Sequence, residues 1–262
     1  MIERGSAETV VIAGGAGLVG RAVAARYLSG GHRLIIIDLN RDAAFSFEER
    51  NKDVHIIISD LAKPRESRRA GEEIRARFGG VTHAIHLVGG YVSGEDLGIT
   101  ATPDETIERC IQLNLKSNLY FLRDMLPMLE TDKHANRSVV LVSSINALQD
   151  YGRYVYGACK AGIMGIVRSS ATELGSKGIR INAILPGTCP DPEKIVPNFD
   201  YESLRNETVL NRFVSPEEVA QTVYAFTHLM TAVTGQCLPV DCGQTISSDW
   251  LRNKYLDRSR SD

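Results

Sequence analysis

Short apolar runs alternate with longer amphipathic stretches along nearly the whole chain. The apolar runs are rich in β-branched residues and predict strands, whereas most of the stretches between them have helical spacing. The predicted strands are Thr9–Ala13, Leu34–Ile37, Val54–Ile58, Thr82–Val88, Val139–Val142, Ile179–Leu185 and Cys237–Val240. The predicted helices include Arg21–Ser29, Glu66–Phe78, Glu105–Leu129, Gly157–Leu174 and Pro216–Leu229.

Strands that alternate with helices and are apolar on both faces are typical of a parallel sheet covered on both sides. No linker, low-complexity tract or internal repeat interrupts the pattern. We therefore expect one α/β domain over residues 1–248, a doubly wound Rossmann-type sheet of about seven parallel strands, followed by a charged tail at 249–262. The segment Gly187–Asn211 is rich in Pro, Asp and Asn and indicates a long loop over the ligand crevice, with room for one short helix.

The charge balance argues against a nucleic-acid partner. The chain has 262 residues, with 30 Lys and Arg against 32 Asp and Glu, so it lacks the basic field that a phosphate backbone requires. Its apolar runs are much shorter than the roughly 18 residues of a membrane span. Charged residues also interrupt the first stretch, so we expect no secretory signal, no membrane segment and a cytoplasmic location.

Neither the cysteines nor the histidines show the spacing of a bridged or metal-bound framework. The five cysteines include no Cys-x-x-Cys pair, and we expect reduced thiols. His83 and His86 form one suggestive pair, but residues three apart on a strand point to opposite faces. The sequence therefore predicts no metal site.

The first predicted strand leads directly into a glycine-rich turn that precedes a helix. At such a turn the backbone N–H groups and the positive end of the helix dipole face an anion, and glycine permits the close approach of a pyrophosphate. A P-loop is excluded, because Arg21 and Ala22 follow where Lys and a hydroxyl residue are required. A tight turn without a ligand is the alternative. The candidate cofactor residues here are Gly14, Gly17, Leu18, Val19 and Gly20.

Asp38 ends the second strand, roughly 20 residues beyond the glycine turn. Its carboxylate can accept hydrogen bonds from both adenosine ribose hydroxyls, and it repels a 2′-phosphate. We therefore predict NAD as the cofactor. Arg41 keeps NADP as a less favoured possibility, and a helix N-cap is the other interpretation of Asp38.

A second group of candidate residues lies on two neighbouring elements. Ser143 and Ser144 end a predicted strand, and Tyr156 and Lys160 lie at the start of the next predicted helix. The tyrosine and the lysine are four residues apart and project from one helical face. A nearby ammonium favours the phenolate and lowers the tyrosine pKa, while a serine hydroxyl can hold the substrate oxygen. A half-buried aromatic and an ordinary basic residue on a helix are the alternative interpretation.

With these motifs in this order, the sequence resembles the short-chain dehydrogenase/reductase superfamily, in its single-domain branch. The resemblance extends from Val10 to about Gly243. Besides the glycine turn, the residues that carry it are Asp60, Gly89-Gly90, Asn114, Ser144, Tyr156, Lys160, Asn182–Gly187, Thr234–Gln236 and Val240–Gly243.

The resemblance implies a role for each site residue. Tyr156 would be the acid/base, and Lys160 would lower its pKa and bind the nicotinamide ribose. Ser144 would polarise the carbonyl, and Asn114 would hold a water that links Lys160 to solvent. The further cofactor residues that it implies are Asp60 and Leu61 at the adenine end, Val88 and Gly89 after the fourth strand, and Pro186, Gly187 and Thr188 along the nicotinamide.

We therefore expect an NAD(H)-dependent oxidoreductase that interconverts a secondary alcohol and a ketone. The family resemblance also implies a homo-oligomer, either a tetramer or a dimer. Two alternatives stay open: a catalytically silent NAD-binding scaffold or sensor, and an epimerase or dehydratase that regenerates bound NAD. The first is suggested by the segment 86–89, which reads His-Leu-Val-Gly where the family has Asn-Asn-Ala-Gly.

Ser143 stays an alternative to Ser144, because it has the family's usual spacing to Tyr156. Cys242 stands where the family has glycine.

Overall fold

A parallel sheet of seven strands runs through the part of the chain that the structure, a computed structural model, describes: residues 7–42, 44, 52–95, 97–149, 151–194 and 200–246. The strands are β1 Thr9–Ala13, β2 Arg33–Asp38, β3 Val54–Ile58, β4 His83–His86, β5 Arg137–Val142, β6 Ile179–Pro186 and β7 Cys237–Val240. Their order in the sheet is β3-β2-β1-β4-β5-β6-β7. This is the doubly wound order, with its switch point between β1 and β4, and it confirms the predicted fold class.

Helices connect the strands on both faces of the sheet. They are α1 Leu18–Ser29, α2 Pro64–Phe78, α3 Asp104–Ile111, α4 Ser117–Thr131, α5 Tyr154–Ser176, α6 Tyr201–Asn206 and α7 Pro216–Tyr224. Two π-helical turns, Gln112–Lys116 and Ala225–Leu229, follow α3 and α7. Short 3₁₀ turns lie at Ile145–Ala147, Pro192–Lys194 and Gln244–Ile246. Among the described helices, none combines the length and the apolar character that a bilayer crossing requires.

Successive residues of the strands pack into two separate core layers. On β1, Val11 and Ala13 belong to a layer completed by side chains of α2, α4 and α5, such as Phe121. Val10 and Ile12 belong to the other layer, which α1 and α7 complete. The alternation follows from the twofold period of a strand, so every strand residue is committed to one helical layer.

Several element bounds differ from the sequence expectation, among them the start of α1, which is Leu18 rather than Arg21. The fourth strand ends at His86, two residues early, because Gly89 and Gly90 adopt φ 153 and carry the chain out of the sheet. The helix predicted over Glu105–Leu129 is divided by the π turn between α3 and α4. Helix α5 begins at Tyr154, three residues before the predicted start. The predicted tail at 249–262 lies outside the described residues, and the domain boundary at 248 stays a prediction.

The glycine turn packs against α1 so closely that Gly20 has no room for a side chain. A Cβ built on Gly20 would overlap the carbonyl oxygen of Gly14 and lie 2.6 Å from the Cα of Gly15. Both contacts are with backbone, which cannot rotate away. The missing side chain at position 20 therefore sets how closely α1 approaches the end of β1.

We expect Gly20→Ala to lower the free energy of unfolding by about 1–3 kcal/mol, because α1 must move away from the glycine turn to admit the methyl group. The matched control is Gly165→Ala, at an exposed position inside α5 where a new Cβ meets no described atom within 4 Å. There alanine should stabilise the helix by about 0.5–1 kcal/mol. Urea denaturation of both variants provides the measurement, and equal stability of Gly20→Ala and wild type would contradict the proposed contact.

Candidate active site

A cleft of about 380 Å³ lies at the carboxyl ends of β1, β2, β3 and β4. It includes the switch point, where ligands of open α/β sheets bind, and its volume lies within the range of small-molecule sites. Eight of the predicted cofactor residues line it: Gly14, Gly17, Leu18, Asp38, Asp60, Leu61, Val88 and Gly89. The structure thus brings together residues from four separate strand ends.

The other predicted cofactor residues are outside the lining of this cleft. Val19 and Gly20 belong to the first turn of α1. Pro186 ends β6, and Gly187 donates its N–H to the carbonyl of Val240 at 2.9 Å. Thr188 donates its N–H to Oε1 of Gln244 at 3.4 Å. The segment 186–188 is therefore held against the end of β7.

Asp38 ties the glycine turn to the end of β2. Its Oδ2 accepts the N–H of Ala16 at 2.9 Å, and its Oδ1 accepts the N–H of Asn40 at 2.9 Å. An ionised carboxylate has about four acceptor positions, so lone pairs remain for a ligand. Asp38 thus positions the turn while lining the cleft. The Asn40 contact is a local turn rather than the helix cap considered from the sequence.

Several residues of the cleft were missed by sequence reasoning. Arg21 lies one helical turn after Gly17, and this i, i+4 spacing was a usable signal for it. Asp191, Glu193 and Lys194 come from the long loop after β6, around its 3₁₀ turn. Their approach to the cleft depends on the path of the loop, which composition does not specify.

The side chain of Ser144 interacts with that of Tyr156 and lowers the pKa of the tyrosine. Ser144 Oγ donates to Oδ1 of Asn146 at 2.9 Å and accepts the N–H of Asn146 at 3.2 Å, which leaves one lone pair for the tyrosine hydroxyl. Ser143 is buried, and its hydroxyl donates to the backbone carbonyl of Lys160 at 2.7 Å. Of the two serines that the sequence left open, the structure therefore places Ser144 against Tyr156.

The ammonium of Lys160 is buried directly beside the loop after β4. The residue is 3% exposed, and Nζ donates to the carbonyl of Val142 at 3.0 Å. A Cβ built on Gly89 would lie 3.0 Å from this Nζ and 2.8 Å from Oδ1 of Asn114. The absence of a side chain at Gly89 thus creates the space in which Lys160 and Asn114 meet. Burial lowers the pKa of Lys160 to about 8.

Asn114 lies in the π turn between α3 and α4 and is fully buried. Its Oδ1 accepts the N–H of Gly90 at 2.8 Å, and its Nδ2 donates to the carbonyl of Gly90 at 3.0 Å. A π turn displaces the local helical register and is often found at functional sites. Here it points the asparagine amide at the backbone of the loop after β4, which it fixes over Lys160.

The pKa of Tyr156 is raised, whereas the sequence predicted that Lys160 lowers it. Burial raises the pKa of Tyr156 to about 12 and outweighs the hydrogen bond of Ser144 and the positive charge of Arg153, which lower it. Lys160 lies with Nζ 5.4 Å from the centre of the tyrosine ring, and that Nζ donates to a backbone carbonyl. The carboxylate of Glu95 contributes further to the high pKa of Tyr156.

The remaining predictions concern the histidines and the cysteines, of which Cys110 accepts a hydrogen bond from Nδ2 of Asn114 at 3.5 Å. His83 and His86 point to opposite faces of β4, as predicted: Nδ1 of His83 lies 2.8 Å from Ser138 Oγ, whereas the ring of His86 packs 5.0 Å from that of Phe121. The five cysteines are free thiols. Cys242 adopts φ 53, a left-handed conformation that explains a glycine preference at this position.

The sheet order, the glycine turn after β1 and the cleft at the switch point define the Rossmann class of α/β proteins. Within that class, a family model described as enoyl-(acyl carrier protein) reductase matches residues 14–245. The chain belongs to the short-chain dehydrogenase/reductase superfamily, and it is an oxidoreductase.

Individual relatives agree with this assignment. The chain is 28% identical to the 7alpha-hydroxysteroid dehydrogenase of Bacteroides fragilis, over 90% of this chain and 94% of the relative. It is 27% identical to the 2-dehydro-3-deoxy-L-rhamnonate dehydrogenase (NAD(+)) of a Sphingomonas species, over 81% and 85%. Its fold matches that of the ligand-free aldohexose dehydrogenase of Thermoplasma acidophilum with a TM-score of 0.82 and 22% identity, over 93% and 96% of the two chains.

The buried ammonium predicts a specific pH dependence of stability. Between pH 8 and about 10.5 the unfolded chain keeps the Lys160 proton whereas the folded chain releases it, so the free energy of unfolding should rise with pH. We expect Lys160→Met to remove this rise, which amounts to about 3 kcal/mol across the window. Urea denaturation at several pH values measures it.

Lys133→Met, at an exposed lysine, is the control and should retain the wild-type slope. If the free energy of unfolding changed with pH equally in wild type and in Lys160→Met, the ammonium would be solvated in the folded protein.

Proposed function

We propose that the protein is an NAD(H)-dependent dehydrogenase/reductase that interconverts a secondary alcohol and a ketone on a small-molecule substrate. The observation that carries the proposal is the meeting of Ser144, Tyr156 and Lys160 behind Gly89, which itself lines the cleft. A proton-exchanging phenol, a hydroxyl donor and a buried ammonium thus lie beside a volume large enough for a ligand.

The cleft fits a dinucleotide. The N-terminus of α1 has no side-chain cap among the described residues, so its first N–H groups are available to an anion. The glycine turn would hold the pyrophosphate, Asp38 the adenosine ribose, and Asp60 and Leu61 the adenine end. Val88, Gly89 and Lys160 would contact the nicotinamide half, together with the segment 186–188. When bound there, NAD supplies the two-electron oxidant or reductant that the conversion needs.

The side chains of the chain itself would position the substrate and move one proton. Ser144 would donate to the substrate oxygen, and Tyr156 would exchange a proton with that same oxygen, because the two hydroxyls are in contact. With its pKa near 12, the phenol is protonated at neutral pH, which is the form that donates to a ketone. Lys160, with a pKa near 8, exchanges protons close to neutrality and can restore the proton of Tyr156. Asn114 would hold the water that connects Lys160 to solvent.

NAD rather than NADP is supported by the acidic group at the end of β2. Asp38 lines the cleft at the position where a ribose 2′-phosphate would introduce a second negative charge. The rest of the lining is mixed in charge: Asp191 and Glu193 add negative charge, while Arg21 and Lys194, whose Nζ lies 3.4 Å from Oδ2 of Asp191, add positive charge. Arg41, the residue that kept NADP open from the sequence, is exposed.

We further propose a homo-oligomer, a tetramer or a dimer, located in the cytoplasm and without a nucleic-acid or membrane partner. Leu119 on α4 is 46% exposed and gives that helix an apolar contact point for a second copy. Size-exclusion chromatography with light scattering tests the assembly.

We expect Tyr156→Phe to lower kcat by at least about 100-fold, because the phenyl ring fills the same space but cannot exchange a proton. Tyr154→Phe is the matched control, at a neighbouring tyrosine that is 38% exposed, and it should leave turnover unchanged. NADH-linked absorbance on panels of ketones and secondary alcohols measures turnover, and NADH fluorescence verifies that both variants bind cofactor.

Undiminished turnover in Tyr156→Phe would contradict the proton route. Tight NADH binding without turnover by the wild type would instead support a catalytically silent scaffold. Copurified NAD without net reduction would support an epimerase or a dehydratase.

We expect Asp38→Asn to lower the preference for NADH over NADPH, measured as the ratio of their kcat/KM values, by about 10-fold or more, since repulsion of the 2′-phosphate is removed. The amide can still accept the N–H of Ala16, so the glycine turn keeps its contact. Asp42→Asn, at an exposed carboxylate nearby, is the control and should leave the ratio unchanged. A wild-type enzyme that prefers NADPH would contradict the role of Asp38.

A further inference from the structure

Four of the six histidines surround one buried carboxylate at the amino ends of the strands, opposite the cleft. Glu8, just before β1, is 8% exposed. Its Oε2 lies 2.7 Å from Nε2 of His228, 3.2 Å from Nδ1 of His32 and 3.4 Å from Nε2 of His83. Its Oε1 lies 3.4 Å from Nε2 of His134. We refer to these five residues as the histidine cluster.

The fold itself assembles this cluster from distant parts of the sequence. Glu8 and His83 are adjacent because β1 and β4 pair in parallel, with Val10 opposite His83. His228 lies in the π turn after α7. Arg180 of β6 fixes that turn by donating to the carbonyls of Phe226 at 2.7 Å and Thr227 at 3.0 Å. The donor groups are therefore held by the sheet and by a braced turn.

Three donor atoms of the cluster converge on one point. The ligand atoms of Glu8, His83 and His228 all lie within 4.8 Å of one another. Tetrahedral zinc binds such atoms at about 2.0–2.2 Å, which places them about 3.3 Å apart. The observed separations from Glu8 Oε2, 2.7 Å to His228 and 3.4 Å to His83, bracket that value. Small side-chain adjustments would therefore close a metal site.

The second nitrogen of each converging imidazole faces a hydroxyl group. Nδ1 of His83 lies 2.8 Å from Oγ of Ser138, and Nδ1 of His228 lies 2.7 Å from Oγ1 of Thr227. A hydroxyl oxygen can accept the Nδ1 proton, which leaves the Nε2 lone pair directed at the centre of the cluster. Histidine ligands of metals in proteins are oriented in this way by an outer hydrogen-bond partner.

His83 distinguishes a metal site from a simple hydrogen-bonded network. Without a metal, His228 would take the other tautomer, whose Nε2 proton is donated to Glu8 and explains the 2.7 Å contact. His83 is 0% exposed, and its Nε2 has no hydrogen-bond partner within the described residues. An unpartnered buried polar atom costs free energy, and a bound cation at the centre would satisfy it.

We propose that Glu8, His83 and His228 bind a divalent transition metal of the zinc class. Two imidazole nitrogens and one carboxylate suit zinc rather than calcium or magnesium, which prefer oxygen ligands. His134 has a side chain that is 38% exposed and provides an entry path. The metal would join β1, β4 and the π turn after α7. No metal site was predicted from the sequence, because His83 and His86 of β4 were the only histidines that lie close together in the chain.

The experiment is a metal titration of the full-length protein after treatment with EDTA and dialysis. Co²⁺ is followed by the visible absorption bands of a tetrahedral site, and Zn²⁺ by calorimetry in competition with a chelator of known affinity. We expect one equivalent of metal per chain and a higher Tm in the loaded protein, because a ligand that binds the folded state stabilises it.

His228→Gln and Glu8→Gln keep the size and the hydrogen-bonding capacity of the side chains, and circular dichroism verifies that each variant folds. Each should weaken binding by at least about 100-fold, since loss of even an outer hydrogen-bond partner costs 10–100-fold. His55→Gln, on β3 and outside the cluster, is the matched control and should bind like wild type. Absence of stoichiometric binding by the wild type, or binding of equal affinity in folded His228→Gln and Glu8→Gln, would overturn the proposal.

Discussion

The candidate active site is organised around the buried ammonium of Lys160. Taking this charge out of water is unfavourable, as its lowered pKa shows, and the surrounding chain compensates through the carbonyl of Val142. The ammonium has room only because Gly89 has no side chain. Asn114 holds the next residue, Gly90, in place through a hydrogen bond to its N–H. The end of β5, the loop after β4 and the start of α5 must therefore meet at one point, which in turn fixes Ser144 against Tyr156.

The two ends of the parallel strands carry different functional groups. The carboxyl ends of the strands present a glycine turn and a carboxylate to an open cleft, and Lys160 lies behind Gly89 of its lining. The amino ends carry the histidine cluster, in which β1, β4 and the turn after α7 converge. A parallel sheet makes this division natural, since all strands begin at one edge and end at the other.

Local patterns were sufficient to predict the sheet, the glycine turn and the shared helical face of Tyr156 and Lys160, because these depend on periodicity and on spacings of a few residues. They could not predict that Lys160 donates to Val142 or that burial raises the pKa of Tyr156, since both follow from tertiary packing. The cluster around Glu8 was missed for the same reason: His228 is 220 positions away in the sequence.

The two π turns have a consequence for how this chain can change in length. The first inserts a residue into an otherwise regular helix at Asn114, and the second, which contains His228, ends the helix that precedes it. Deleting a single residue from the first turn would restore the regular helix and rotate everything on one side of the deletion by about 100° relative to the other side. A deletion in the second turn would displace His228 from the histidine cluster. Substitutions in these segments act locally, whereas a one-residue deletion would redirect a whole helical face. Length variation in related chains should therefore accumulate in surface loops and avoid both turns.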